Sequence, residues 1–198
     1  MHNRRNTRHA RVTAAALAVL AGAVAAPSAQ AAADESAESG ARHCVSEATT
    51  GQQSCYGTFT EAVSAASGGR ITDAPASAGD AARDSGFRAE TRQFNTSAGA
   101  MADGGVIQGT FFDDPGFGGD SLTVTGESLC KKDGVVNYQH DLEDGWKNRV
   151  SSVQPWGGCW IWLYPEPGLG GDRDGPFKEN ASDIGSMMND RTQSIGFS

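Results

Sequence analysis

The chain has 198 residues, with 16 Lys and Arg against 24 Asp and Glu, and a formal net charge of −8 at pH 7. Nucleic acids and anionic membranes are bound through basic stripes that displace counterions, so this acidic balance argues against both as partners. It favours cations instead. The length fits one domain of ordinary size plus a smaller unit.

The first 31 residues have the features of a secretory signal peptide. Four arginines form a basic head, residues 12–26 are an apolar run of mostly Ala, Leu and Val, and residues 29–31 (AQA) form a small-residue cleavage site. No later stretch approaches the roughly 20 apolar residues of a membrane-spanning helix. We therefore expect a secreted, extracellular product without a membrane span. The remaining residues hold 12 Lys and Arg against 24 Asp and Glu, a charge of −12.

Residues 32–73 are expected to form a small α+β unit stapled by a disulfide. Cys44 and Cys55 flank a turn-like segment rich in Thr, and we expect them to close a hairpin. Thr58 and Glu61 have the spacing of a capping box, which predicts that a short helix follows. Because all four cysteines lie beyond the export signal, two disulfides are expected.

The composition changes sharply near residue 104. Residues 74–104 contain nine alanines, and Phe87 and Phe94 are their only aromatic side chains. Burying so little apolar surface does not offset the entropy of ordering the chain, so we interpret this segment as an Ala-rich linker. Residues 105–198 hold a single alanine, all four tryptophans and eleven of the fifteen aromatic residues. The main core is therefore expected there.

Residues 105–198 contain an internal repeat. Residues 117–120 (FGGD) recur as residues 169–172 (LGGD), and residues 148–153 (NRVSSV) recur as residues 190–195 (DRTQSI). The first offset is 52 and the second is 42, so the first copy carries extra residues, which we assign to the segment around residues 130–137. Short runs of alternating polarity are separated by Gly- and Asp-rich turns, which predicts an antiparallel β-sandwich.

The spacing within the repeat resembles the βγ-crystallin Greek key signature, in which an aromatic residue, four residues, a second aromatic residue, one residue and a glycine surround a folded hairpin. The matching residues are Phe112, Phe117 and Gly119 in the first copy, and Tyr164, Leu169 and Gly171 in the second. The resemblance implies that residues 105–198 form a βγ-crystallin-like sandwich of two Greek keys. The fold class expected for the whole chain is mainly β, with the small α+β disulfide unit preceding this sandwich.

The family's calcium motif reads Asn or Asp, Asn or Asp, two variable residues, Ser or Thr, and Ser. Residues 147–152 resemble it except for Lys147, and residues 189–194 resemble it except for Gln193. The resemblance implies that a site combines the motif of one key with the hairpin loop of the other. The candidate calcium ligands are Asn148, Ser151, Asn189, Asp190, Gln193, Asp113 and Glu166. In the alternative interpretation, Ser152 and Ser194 only brace the hairpins, and calcium is absent.

Patterns that would indicate an enzyme are missing from the sequence. Beyond the export signal there are two histidines, His43 and His140, and there is no His-Glu-x-x-His, Gly-x-Ser-x-Gly or Cys-x-x-Cys pattern and no cofactor fingerprint. His140 beside Asp141 is not a base and its orienting acid, because adjacent side chains on a strand point to opposite faces. We therefore expect no catalytic activity.

Two features of the second half leave alternatives open. Trp156, Trp160 and Trp162 either pack in the core or form an exposed platform for a glycan or a protein. Four cysteines allow three pairings, and proximity within the second half favours a bond between Cys130 and Cys159.

These features predict a secreted, monomeric, non-enzymatic binding or structural protein that uses calcium for stability. The family resemblance also suggests an alternative, because secreted metalloproteinase inhibitors and killer-toxin-like antimicrobial proteins have a similar fold. Such a protein would present a rigid loop to an extracellular partner such as a protease. The disulfide-braced segment 126–140 is the candidate loop.

Overall fold

A computed structural model describes residues 40–97 and 105–198. The expected signal peptide lies outside the described residues. No helix within the described ranges combines the length and the apolar character needed to cross a membrane. The strands are β1 (His43–Glu47), β2 (Gln53–Tyr56), β3 (Val106–Asp114), β4 (Gly118–Gly126), β5 (Tyr138–Asp141), β6 (Ser152–Pro155), β7 (Ile161–Tyr164), β8 (Asp174–Phe177) and β9 (Ser194–Phe197). The α-helices are α1 (Phe59–Ala66), α2 (Ala78–Arg83) and α3 (Ser85–Thr96).

The strands form two sheets that exchange strands between the repeats. One sheet has the order β2-β1-β4-β3-β6 and the other has the order β5-β9-β7-β8. The first key contributes its third strand, β5, to the second sheet, where β5 pairs with β9. In the reciprocal position, Ala181 of the second key forms an antiparallel bridge with Val153 of β6. The expected mainly β, βγ-crystallin-like arrangement of two Greek keys is confirmed.

The core between the two sheets draws large side chains from both keys. Phe111 of β3 meets Phe197 of β9 edge to face, with ring centroids 6.1 Å apart. Ile161 and Leu163 point inward from β7, and both are fully buried. Because successive residues of a strand point to opposite faces, Phe112 lies on the other side of the first sheet and belongs to a second core.

That second core lies under the helices. Helix α1 begins as the capping box predicts, since the Thr58 hydroxyl accepts a hydrogen bond from the Glu61 amide and the Glu61 carboxylate accepts one from the Thr58 amide, each at 3.2 Å. Its apolar face buries Phe59 and Val63. The first sheet is therefore covered on both faces, by the second sheet on one side and by helices on the other.

The expected linker over residues 74–104 is different in the structure. Residues 78–96 are almost entirely helical, in α2 and α3, and Phe87 and Phe94 are buried. The segment contains few large apolar groups of its own, but Phe87 and Phe94 share a core with Phe112 and Trp156 of the Greek keys. The small alanine side chains of α2 are themselves buried in this core. Residues 98–104 lie outside the described part of the chain.

The boundaries expected at residues 73 and 104 do not separate compact units either. Residues 40–97 and 105–198 belong to one compact unit. Strand β1 pairs in parallel with β4, with Val45 opposite Thr123, so the N-terminal hairpin extends the sheet of the first key. This pairing also satisfies backbone groups of β4 that an exposed edge strand would leave free.

Both expected disulfides are present. Cys44 and Cys55 lie opposite each other on β1 and β2, and their bond closes the predicted hairpin. Cys130 and Cys159 connect the loop that follows β4 with the residues that precede β7. The second bond therefore links the insertion of the first key to the start of the second key.

The tryptophan cluster is divided between core and surface. Trp156 is buried in the helical core. Trp160 and Trp162 are half-buried. The Lys178 ammonium lies 3.8 Å from the ring centre of Trp160, and the Arg173 guanidinium lies 3.8 Å from that of Trp162. Core packing therefore describes Trp156, whereas long cationic side chains cover part of the other two indoles at the surface.

Candidate functional site

The two repeated motif segments lie side by side where the keys meet. The Asn148 amide donates to the Thr192 carbonyl at 2.8 Å, and the Asp190 amide donates to the Val150 carbonyl at 3.1 Å. Asn148 and Asp190 both have left-handed backbone conformations, with φ of 58° and 55°. Asn and Asp tolerate this conformation better than other residues with side chains, which explains their place at equivalent positions of the repeat.

The last serine of each motif braces a hairpin. The Ser152 hydroxyl donates to the Asp114 carbonyl at 2.8 Å and accepts a bond from a backbone amide in the same turn. The Ser194 hydroxyl makes the equivalent pair of bonds in the second key, with the Glu166 carbonyl as its acceptor at 2.6 Å. Both hydroxyls therefore brace the hairpins, which is the role that the alternative interpretation gave them.

Three of the candidate calcium ligands come together. Ser151 of the first key and Asp190 of the second approach each other, with 3.4 Å between the hydroxyl and a carboxylate oxygen. The Asn189 side-chain amide donates to the other carboxylate oxygen of Asp190 at 2.9 Å. The Asn189 Oδ1 atom is buried and has no hydrogen-bond partner among the described residues. This group, called the oxygen cluster below, comprises Ser151, Asn189 and Asp190.

The remaining candidate residues of the two motifs, Asn148 and Gln193, do not form such a cluster. Asn148 is exposed and Gln193 is half-buried, and no hydrogen bond joins their side chains within the described ranges. The Lys147 ammonium, which the sequence places beside Asn148, forms an exposed ion pair with Asp144 at 2.7 Å. The hydrogen bond and positive charge of Lys147 lower the pKa of Asp144.

Asp113 has a different partner from the one expected. Its carboxylate accepts a hydrogen bond from Arg149 at 2.5 Å, and Arg149 also binds Asp120 at 3.0 Å. Burial raises the pKa of Asp113 despite this bond. Burial opposes ionisation of Asp120 too, but hydrogen bonds from the Arg42 amide and from Arg149 outweigh it and lower the pKa of Asp120. Asp113 therefore belongs to an ion-pair network.

Sequence reasoning missed this network, although the repeat contains a signal for it. Arg149 and Asp120 recur as Arg191 and Asp172 at the two repeat offsets. In the second copy, Glu166 lines a cavity of about 420 Å³ with Asp172 and Arg191. Glu166 is exposed, and no residue of the oxygen cluster is among those that line this cavity. Pro165 occupies the position that corresponds to Asp113, so the second copy has no carboxylate equivalent to the one that binds Arg149.

The donor types in the oxygen cluster suit a hard cation. Across residues 40–97 and 105–198, no group of three or more His, Cys, Asp or Glu side chains is arranged to hold a metal ion. The cluster offers a hydroxyl, an amide carbonyl and one carboxylate. Calcium takes six to eight oxygen ligands of these kinds, together with backbone carbonyls and water, whereas zinc prefers nitrogen and sulfur. The residues present therefore fit calcium better than zinc.

Comparison with solved structures finds βγ-crystallin domains. A βγ-crystallin domain from Clostridium beijerinckii is 16% identical, with 46% of this chain and 95% of that chain covered and a TM-score of 0.36. A βγ-crystallin domain from Flavobacterium johnsoniae is 19% identical, with 46% and 92% covered and a TM-score of 0.35. Protein S, in a solution structure described as complexed with calcium, is 24% identical, with 46% and 48% covered and a TM-score of 0.35.

Comparison with protein-family models and with curated proteins finds no match. At the identities given above, likeness to a solved structure concerns the fold alone.

Proposed function

We propose that this chain is an extracellular, non-enzymatic βγ-crystallin-like protein with a structural or binding role, and that it holds one calcium ion at the oxygen cluster of Ser151, Asn189 and Asp190. The export signal in the sequence and the two disulfides support an extracellular location.

The buried Asn189 Oδ1 atom carries the proposal of calcium binding. A buried polar oxygen without a partner costs about 1–3 kcal/mol, so its position calls for a ligand. The amide nitrogen of the same side chain donates to the Asp190 carboxylate, and the other oxygen of that carboxylate is 3.4 Å from the hydroxyl of Ser151, a buried residue of the first key. A cation bound there would satisfy all three groups at once.

Calcium at this position would stabilise the junction between the keys. Ser151 comes from the first key and Asn189 and Asp190 come from the second, so the ion would be bound only when both keys are folded against each other. A ligand that binds the native state alone adds about 2.7 kcal/mol to stability at a hundred times its dissociation constant.

Thermal unfolding of residues 32–198, followed by tryptophan fluorescence, tests this proposal. We expect a higher unfolding midpoint in calcium than in excess chelator. An unchanged midpoint would remove calcium from the proposed function and leave only the structural or binding role.

Matched amide variants locate the ion. Asn189→Ala should abolish the calcium-dependent rise in midpoint, because it removes the unpartnered oxygen. Gln193→Ala removes a side-chain amide of the same motif that lies outside the oxygen cluster, and the rise should persist. The opposite pattern would assign the ion to a site that includes Gln193 and not to the oxygen cluster.

A second candidate function is inhibition of an extracellular protease. The loop between β4 and β5 is held by the Cys130–Cys159 bond and by a hydrogen bond from the Lys131 amide to the Asn137 side chain at 2.9 Å. Val135, on this loop, is an apolar residue that is 64% exposed. A braced loop with an exposed apolar residue is a suitable shape for a protease cleft.

Assays with a thermolysin-like metalloprotease test this second function. The wild-type chain should inhibit at micromolar concentration, and Val135→Asp should remove inhibition without changing the unfolding midpoint. Equal inhibition by both proteins would exclude Val135 as the contact residue. No inhibition by the wild type would exclude this protease class.

A further inference from the structure

An open groove of about 540 Å³ lies between α3, the loop after β4 and the segment that leads into β7. Trp156 and the Cys130–Cys159 disulfide are among its lining residues. Its volume is within the range of small-molecule and oligosaccharide-sized sites. The groove shares no residue with the oxygen cluster.

The groove is strongly cationic in a chain that is acidic overall. Four cations line it against the single acidic residue Glu179, whereas the net charge of the chain is −8. Within the described ranges, none of the four forms an ion pair with a carboxylate. These residues, called the groove cations below, are Arg88, Arg92, Lys132 and Lys178.

One groove cation is partly withdrawn from water without compensation. The Nε atom of Arg88 is buried and has no hydrogen-bond partner among the described residues. Burying a charged donor without a partner is unfavourable, and other cations nearby add repulsion. An anionic ligand in the groove would offset the repulsion among the cations and stabilise the partly buried charge of Arg88.

The wall that carries the arginines is rigidly mounted. Arg88 and Arg92 are one turn apart on α3 and therefore lie on the same face. Asn95 of this helix exchanges two hydrogen bonds with the backbone of Ile107, at 2.9 and 3.0 Å. Phe87 packs edge to face on Trp156, with ring centroids 6.1 Å apart. The two guanidinium groups are thus presented from a fixed helix.

The opposite wall combines cations with an aromatic face. Lys178 lies 3.8 Å from the ring centre of Trp160. Lys132 crosses Gly158 so closely that a Cβ atom at that glycine would be 2.9 Å from the lysine Cε atom. The flexible lysine on Trp160 can move towards an anion, and this movement would uncover an indole face.

We infer that this groove binds an acidic glycan, whose carboxylate or sulfate groups pair with the groove cations and whose sugar ring stacks on Trp160. Guanidinium groups bind both anions through paired hydrogen bonds. The C–H face of a sugar ring is apolar and packs well on an indole. The proposal is independent of calcium binding at the oxygen cluster.

Two other occupants fit less well. Nucleic-acid affinity depends on how many phosphates are neutralised, and four cations in a chain of net charge −8 give little. An added peptide strand requires an open sheet edge. At β6, the strand that ends in the groove, the backbone of Val153 already makes two hydrogen bonds with Ala181, at 2.9 and 3.0 Å.

Isothermal titration of residues 32–198 with defined oligosaccharides tests the inference. The probes are an oligogalacturonate, a heparin-derived oligosaccharide, a neutral cello-oligosaccharide and a polyglutamate peptide. All titrations contain chelator, so that calcium cannot bridge the protein to the glycan. We expect an acidic oligosaccharide to bind, more weakly at higher salt, and the neutral one not to bind. The acidic probe that binds identifies the anionic group.

Neighbouring lysines provide a matched control. Lys132→Gln and Arg92→Gln should each weaken binding about tenfold, the loss expected when one charge-assisted hydrogen bond is removed. Lys131→Gln makes the same change in net charge, but Lys131 does not line the groove, so binding should be unchanged. Unfolding midpoints should be the same for all three variants.

Three results would overturn the inference. The first is that neither acidic oligosaccharide binds. The second is that polyglutamate binds as tightly as the glycans, which would assign the groove to an acidic peptide. The third is that Lys131→Gln weakens binding as much as Lys132→Gln, which would reduce the effect to general electrostatic attraction.

Discussion

Arg149 shows how one residue of a repeat can acquire a separate role. It occupies the same position as Arg191, yet its guanidinium binds the carboxylates of Asp113 and Asp120, whereas Pro165 occupies the equivalent place in the second copy. Asp113 and Asp120 have side chains that are 18% and 17% exposed, so their charges are poorly hydrated. Arg149 favours the ionised form of Asp113, and the Arg42 amide together with Arg149 favours that of Asp120.

Replacing Arg149 by Met should lower the free energy of unfolding by about 1–2 kcal/mol, because two partly buried carboxylates lose a shared donor. The loss is smaller than for a fully buried pair, since a third of the Arg149 side chain is exposed. Urea unfolding measures it. Arg149→Met with Asp113→Asn should recover part of the loss, and Arg191→Met should have little effect. A loss for Arg191→Met as large as for Arg149→Met would contradict this account.

The two buried histidines predict a specific pH dependence. Burial lowers the pKa of His43 and of His140 below the ordinary 6.5, although Asp120 opposes the effect at His43, and Asp141 and Glu47 oppose it at His140. Below that ordinary value the unfolded chain binds protons that the folded chain does not, so stability decreases as pH falls. The unfolding midpoint should drop between about pH 7 and 5. A midpoint that rises over this interval would contradict the assignment of neutral buried imidazoles.

Helix α3 is held to the first sheet by aromatic packing. Phe87 contacts both Phe59 of α1 and Trp156, so it connects two helices with the Greek keys. Phe87→Ala should cost about 3–5 kcal/mol, the usual penalty for removing a buried phenylalanine. Gln93→Ala, at an exposed position of the same helix, should stay within about 0.5 kcal/mol of the wild type. Urea unfolding distinguishes the two, and similar small effects would mean that α3 contributes little to stability.

The elements that sequence patterns predicted are those whose signals are local. The capping box at Thr58, the hairpin between Cys44 and Cys55, and the repeated turn glycines each depend on residues a few positions apart. Helix α3 was missed because Phe87 is buried against Trp156, 69 positions away. A count of apolar residues inside one segment cannot include such a partner.

The candidate site was predicted to a similar extent. The motif spacing identified Ser151, Asn189 and Asp190, which the structure brings together. It did not reveal that Asp113 pairs with Arg149. This pairing depends on how the end of β3 meets the segment before β6, which contains Arg149. The groove cations come from three separate parts of the chain, α3, the loop after β4 and the residue after β8, so no short sequence window contains them.

The two Greek keys depend on the N-terminal residues as a whole. The outer face of the first sheet presents Ile107, Phe112 and Phe117 to the helices, and all three are buried there. Residues 105–198 expressed alone should therefore bind a hydrophobic dye and aggregate, whereas residues 32–198 should stay monomeric. Size-exclusion chromatography with dye fluorescence makes this comparison. A soluble, monomeric fragment that binds no dye would show that the keys fold independently.

The parallel pairing of β1 with β4 also sets the order in which the chain can be completed. His43 bonds to Ser121 across 78 positions, so the hairpin that is synthesised early cannot dock until the first key has been made. Closing so long a loop is entropically costly, and contacts of this range slow folding. The Cys44–Cys55 bond needs no distant partner and can hold the hairpin in its final register until β4 is available to pair with β1. Strand β1, although it is synthesised before the other described strands, therefore joins the sheet of the first key late in folding.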